Sequence, residues 1–186
     1  SGETERGNGF LVQATGMGGP SAAIVAEELC DLGAQVLLRV GTCAALAPGC
    51  GLGELIVVTA AIGDDGTSRA LGSGAEIEAD HDLVAALAAA AGRSGRGVHS
   101  GKAATVDLFY DPEGPARGAA LAARGALAIE MEAAAIFAVA ARRGVRAACL
   151  LGVTDELHGE AERVRLSHEE VGELGEALGS VGVAAV

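Results

Sequence analysis

Val36-Leu37-Leu38-Arg39-Val40 is a nearly all-apolar run, entered from Gly33-Ala34-Gln35 and left through Gly41-Thr42-Cys43. A run without polar alternation suits a strand covered on both faces. The residues before it follow another period. Between Ser21 and Leu32, Ile24, Val25, Ala26 and Leu29 gather on one side while Glu27, Glu28 and Asp31 are more polar, which predicts a helix. Pro20 suits the start of that helix, where no N–H is needed, and Gly33 suits its end. Upstream, Gly9-Phe10-Leu11-Val12-Gln13-Ala14 predicts a strand running into the turn Gly16-Met17-Gly18-Gly19. Strand, glycine turn, helix and covered strand in succession place the chain in the α/β class.

The alternation continues downstream. Residues 54–60 and 98–105 predict strands, separated by a Gly/Asp/Ser-rich loop from Gly63 to Gly74 and an alanine-rich helix from Asp82 to Ala91. Residues 107–115 break regularity. Ala126–Ile129 predicts a strand entering a helix from about Glu132 to Arg143, ended by Gly144. Residues 145–153 form the most apolar strand, and a last helix begins near Ser167, with Glu169 and Glu170 favourably placed in its first turn. There is no tandem repeat and no linker. The expectation is one α/β domain over residues 1–186, with a central mixed β-sheet flanked by helices.

Composition narrows the function. The 186 residues carry a formal net charge of −12, and half are apolar. A domain of this size buries about 70% of its unfolded surface, enough for a core without metal or disulfide. The acidic balance opposes nucleic acid and anionic membranes as partners. Apolar stretches stop well short of the ~20 residues of a membrane helix, and residues 1–6 lack the features of a signal peptide. Cys30, Cys43, Cys50 and Cys149 form no C-x-x-C pair, and the four histidines lack ligand spacing. Reduced thiols in a cytoplasmic protein without a metal site are therefore expected.

Ligands of such sheets bind beyond the carboxyl ends of strands, where four stretches carry unusual residues. Gly16-Met17-Gly18-Gly19-Pro20-Ser21 is either an anion cradle at a helix N-terminus or a tight turn. Arg39, within an apolar run and followed by Gly41-Thr42, needs an anion. A phosphate held by its planar fork is the preferred reading, and an internal acid the other. Glu130-Met131-Glu132 brackets a methionine with two acids where a strand becomes a helix, fit to clamp a sugar diol or simply to face the helix dipole. Asp155, ending the most apolar strand, is either a partly desolvated proton donor or a turn residue.

Gly16-Met17-Gly18-Gly19-Pro20-Ser21, Leu38-Arg39-Val40-Gly41-Thr42-Cys43, Asp107-Leu108-Phe109-Tyr110, Ile129-Glu130-Met131-Glu132-Ala133-Ala134 and Val153-Thr154-Asp155 together resemble the nucleoside phosphorylase-I family in order and spacing. That family includes hexameric bacterial purine nucleoside phosphorylases, uridine phosphorylases and nucleosidases. The resemblance implies phosphorolysis of a nucleoside to base and (deoxy)ribose 1-phosphate, with inorganic phosphate as co-substrate and no cofactor. It implies a phosphate site at Arg39, Gly41 and Thr42, and ribose contacts from Glu130, Met131 and Glu132. Phe109, Ile129 and Thr154 would meet the base, Asp155 would act as general acid at N7, and Arg163 would assist it. Arg39 favours phosphorolysis over hydrolysis, because the nucleosidases lack it. Asp155 favours purines. A uridine phosphorylase is the alternative, since Asp65-Gly66-Thr67-Ser68 is similar to a uridine-branch stretch; Asp111-Pro112-Glu113-Gly114-Pro115 stands where that branch carries a Gln-x-Arg base reader, although Arg117 is close. A non-catalytic nucleoside-binding homologue is a further one. The family builds homo-oligomers of the hexameric type, with site residues lent between subunits. Nothing before Phe10 resembles its N-terminal strand and Gly-Asp-Pro-x-Arg phosphate loop, so the domain is expected to lack them.

Overall fold

The computed structural model describes residues 1–3, 7, 9–157 and 164–186. β1 (Gly2–Glu3) and β2 (Gly9–Phe10) form a short antiparallel pair. The strand expected over residues 9–14 stops at Phe10. Leu11 and Val12 are 57% and 77% exposed, and no described strand lies beside them to share a hydrogen-bond ladder. α1 (Gly19–Asp31) begins after Gly18, whose φ of 90° a side chain would resist, and Pro20 occupies its first turn. β3 (Val36–Ala45) follows and runs on past the apolar stretch that marks it in the sequence.

The chain continues as β4 (Leu55–Gly63), α2 (Gly66–Ala70), β5 (Glu76–Glu78), α3 (His81–Ala91), β6 (Val98–Thr105), α4 (Gly114–Ala123), β7 (Ala126–Glu130), α5 (Ala133–Arg143), β8 (Arg146–Glu156), β9 (Val164–Arg165) and α6 (His168–Ala185). Local chemistry starts several of these. Asp65 and Asp80 accept from the backbone N–H groups of Ser68 and Leu83, and Ser167 with Glu170 forms a reciprocal capping box. α2 lies inside the stretch expected as loop, and β5 and most of α4 lie where the sequence pattern assigns no element. The first two are too short to show a period, and α4, with two glycines and mostly alanine, lacks an apolar stripe.

The main sheet has the order β5-β4-β6-β7-β3-β8-β9 among the described strands, and β8 also pairs with β4. β4, β6 and β7 are mutually parallel, as are β3 and β8, whereas β3–β7 and β4–β8 are antiparallel. The mixed sheet therefore closes on itself through β4, β6, β7, β3 and β8. Alternating side chains serve two cores. Leu37, Cys43, Ile56, Val58, Leu151 and Val153 pack with Ala22 of α1 and Phe137 of α5. Leu55, Val57 and Leu150 pack with Leu87 of α3 and with Leu174 and Leu178 of α6.

Two features of this sheet position functional side chains. Thr105 and Glu130, the last residues of β6 and β7, are register partners. β3 and β8 run in step from Val36↔Arg146 to Cys43↔Val153, then shift so that Ala44 faces Asp155 and Thr154 is the extra residue. A bulge of this kind re-aims the residue that follows it.

Candidate functional site

Arg39 lies in β3 with its side chain 11% exposed, and two carboxylates meet it. Its Nε donates to Glu130 Oε2 at 2.8 Å, and its Nη2 lies 2.6 Å from Glu132 Oε2. Gly41, two residues on and on the same pleat, is the floor under the guanidinium: a Cβ there would lie 3.0–3.1 Å from three of its atoms. Burial, the largest single influence, lowers the Arg39 pKa, but the negative charges around it, Glu130 foremost and Glu132 among them, together with the Glu130 hydrogen bond outweigh it and hold the group charged.

Glu130 is an anchor as well as a counter-ion. Its Oε2 accepts from the backbone N–H groups of Glu132 at 2.8 Å and Ala133 at 2.9 Å, at the start of α5, and its Oε1 accepts from the Thr105 hydroxyl. Thr105 Oγ1 in turn accepts from Ala134 N–H at 2.9 Å. Glu132, the residue just before α5, has its Oε1 on Gly18 N–H at the start of α1. One carboxylate thus spans the two anion donors of the site, a helix N-terminus and a guanidinium. Burial pushes the Glu132 carboxyl above its ordinary pKa, against the opposing pull of Arg39.

Both alternatives left open for Arg39 bear on this cluster: the internal acids are there, and the fork that holds them is the one a phosphate would use. With one guanidinium against two carboxylates, a bound dianion must share Arg39 with Glu132. Ribose hydroxyls, which can donate to a carboxylate, give Glu132 another partner.

Asp155 lies near the end of β8, the strand next to that of Arg39. The Thr154 hydroxyl lies 2.9 Å from Asp155 Oδ2 and 3.2 Å from the Cys43 carbonyl oxygen. It has one proton, so when it donates to the carbonyl its lone pair is free to accept from a protonated Asp155. Arg165, the register partner of Asp155 across β8–β9, donates from Nε to Asp155 Oδ1. Its guanidinium carbon stands 5.8 Å from the centre of the Phe109 ring, which packs edge-on to Tyr110 at 4.9 Å. The buried Cys43 thiol feels both acids: it is raised by burial first, and then by the charges of Glu130 and Asp155 against the opposing pull of Arg39.

Of the residues expected at the site, the fold thus brings together Arg39, Gly41, Glu130 and Glu132, and next to them Thr154 and Asp155. Phe109 joins through Arg165, and Met131 sits half-buried between the two acids. Thr42 is exposed on the pleat opposite Arg39, and Ile129 packs on the cluster that contains Leu121, on the pleat opposite Glu130. Arg163 lies outside the described residues. Arg165 and Thr105 were not legible in the sequence. Arg165 is marked only by a strand of two residues, and Thr105 by nothing but its place at a strand end. Among the described residues, no three His, Cys, Asp or Glu side chains gather as metal ligands, and no helix is long and apolar enough to cross a membrane.

The model of the phosphorylase superfamily matches residues 2–184. The chain is 41% identical over 157 residues to a purine nucleoside phosphorylase DeoD-type of Myxococcus xanthus, covering 83% of this chain and 65% of that relative. It is 36% identical over 169 residues to a guanosine phosphorylase of Halorubrum lacusprofundi, covering 90% and 69% of the two chains. A purine nucleoside phosphorylase DeoD-type of Colwellia psychrerythraea is 34% identical over 157 residues, with 83% and 67% covered. The chain spans about two thirds of the length of the curated relatives it matches.

Proposed function

The chain belongs to the phosphorylase superfamily, and on that premise we propose that it cleaves a purine nucleoside with inorganic phosphate, giving free base and (deoxy)ribose 1-phosphate. The observation that carries this reading is the juxtaposition of the Arg39–Glu130–Glu132 cluster with the bulge that aims Asp155. The names of the relatives, purine nucleoside phosphorylase and guanosine phosphorylase, support a purine base.

In this reading Arg39, seated on Gly41, binds phosphate together with the Gly18 N–H, freed as Glu132 turns to the ribose hydroxyls, while Thr42, whose side chain lies on the opposite pleat, can add its backbone N–H only. Glu130 keeps Arg39 and the start of α5 in place, and Met131 lies under the sugar. A phosphate oxygen attacks C1′ as the C1′–N9 bond breaks, and the bond's electron pair leaves with the base. Asp155, protonated, delivers its proton to N7, so the base departs neutral. The sugar carries positive charge in the transition state, which the phosphate and Glu132 stabilise. Phe109 supplies an apolar face for the base, with Thr154 on the same side, and Arg165 holds Asp155. No cofactor takes part. The enzyme works as a cytoplasmic homo-oligomer, in keeping with its free thiols. The uridine reading would need a free Arg117 to meet the base, and here Arg117 is ion-paired to Asp64 and Asp111.

The test is Asp155→Asn, which keeps size and some hydrogen bonding but removes the proton. On inosine, phosphorolysis should slow by about 10²–10⁴-fold. 7-Methylguanosine already carries the positive charge that protonation would create, so the variant should retain far more activity on it. Equal losses on both substrates would make Asp155 a positioning group. Activity of the wild type on uridine alone would overturn the purine assignment.

A further inference from the structure

We propose that Arg117, in α4, is a positioning residue for the base: it clasps the loop at residues 107–113 to the end of β4 and thereby fixes the Phe109–Tyr110 ring pair. The inference rests on the phosphorolytic reading only for the identity of the ligand, a purine base.

The loop is tied at both ends to one short segment, residues 64–66. At its start, Asp107 Oδ2 accepts from Gly66 N–H at 2.8 Å. At its end, Arg117 bridges two carboxylates, with Nη1 on Asp64 Oδ2 at 2.8 Å and Nε on Asp111 Oδ2. The second Asp111 oxygen accepts from Glu113 N–H at 2.9 Å and turns the chain into α4. The anchoring segment is itself fixed: Asp64 N–H donates to the Thr105 carbonyl at 3.0 Å, and the fully buried Asp65 caps α2. Phe109 is midway between the two ties. Its ring faces the guanidinium of Arg165, which holds Asp155. The clasp therefore reaches the base side of the site through Phe109, and it meets the Arg39 cluster through the backbone of Thr105, whose side chain binds Glu130, and through no side chain of its own.

The chemistry requires arginine. Its rigid fork presents Nε and Nη1 to two carboxylates from different segments, whereas a lysine ammonium is a single point charge. The Arg117 side chain is 36% exposed, so each ion pair adds little to global stability. Its loss should loosen the loop and leave the fold intact.

The chain has one tyrosine, Tyr110, and no tryptophan, so its intrinsic fluorescence reports this loop alone. The experiment compares wild type, Arg117→Met and Asp64→Asn. It reads Tyr110 anisotropy without ligand, the dissociation constant of hypoxanthine by equilibrium dialysis, and KM for inosine and for phosphate. In both variants anisotropy should fall. The hypoxanthine constant and inosine KM should rise about tenfold in Arg117→Met, and in the same direction for Asp64→Asn, while phosphate KM stays within about twofold. Melting temperatures should stay within about 3 °C of wild type. Unchanged anisotropy would overturn the clasp, and equal rises in both KM values would overturn its confinement to the base. If Arg117→Met does not fold, Asp64→Asn, which cuts only the tie to β4, decides by the same criteria. A wild type that binds no hypoxanthine would refute the phosphorolytic reading and the positioning role together. Lost anisotropy with intact hypoxanthine binding would refute the positioning role alone.

Discussion

Replacing Glu130 with glutamine tests the cluster without changing its shape. The Glu130 side chain is fully buried and receives four donors: Arg39 Nε, the N–H groups of Glu132 and Ala133, and the Thr105 hydroxyl. In Glu130→Gln the amide oxygen can take the place of Oε2 and keep three of them, now as bonds to a neutral acceptor. The new NH₂ group then faces Thr105 Oγ1, which already accepts from Ala134 N–H, so the threonine proton loses its acceptor. Hydrogen bonds to a charged group are worth about 1.5–3 kcal/mol each. Removing one member of a buried pair costs about 3–5 kcal/mol. Because Glu132 still neutralises Arg39, the lower end applies, about 3 kcal/mol. For a chain of this length that lowers Tm by roughly 6–12 °C. Calorimetry at neutral pH on wild type and Glu130→Gln measures it, with urea midpoints as a check that the m-value is unchanged. A Tm within about 2 °C of wild type would mean that Glu130 contributes nothing beyond its shape, and the anchoring role argued from its four donors would be wrong.

Two further outcomes follow from the same structure. Arg39→Lys keeps a charge against Glu130 and Glu132 but loses the fork that engages both, so the phosphate KM should rise at least about tenfold, with the nucleoside KM changed less. Steady-state kinetics with each substrate varied will show it, and equal changes would mean that Arg39 only organises the acids. Glu54 accepts from Gly51 N–H at 2.8 Å and pairs with His99 at 2.7 Å, and these contacts hold its carboxyl below the ordinary glutamate range. A lowered carboxylate pKa contributes stability that is present above the unfolded value and lost as pH falls through the folded one. Wild type should therefore lose Tm faster than Glu54→Gln on acidification below about pH 4.5, near the unfolded glutamate value; parallel curves would remove Glu54 from the acid response.

The sequence by itself determined the elements whose causes are local. The helix start at Ser167 with Glu169 and Glu170 in its first turn, the glycine stop at Gly144, where φ is 68°, and the apolar run through Leu37 and Leu38 each act within a few residues, so their meaning survives without the fold. That Arg39, Glu130, Glu132 and Asp155 need partners was also legible, because charged groups within or beside apolar strands demand them. What those partners are depended on the tertiary structure. β4 and β8 are far apart in sequence, and only their pairing closes the sheet. The shift that leaves Thr154 as an extra residue, and so aims Asp155, exists only between two strands. Arg165 reaches Asp155 because β9 folds back antiparallel on β8, and Arg117 reaches Asp64 across 53 residues of chain. A hydrogen bond or ion pair between distant residues leaves no period in the sequence. It is decided where backbones of different segments are brought within about 3 Å of each other, and that is set by packing and strand register.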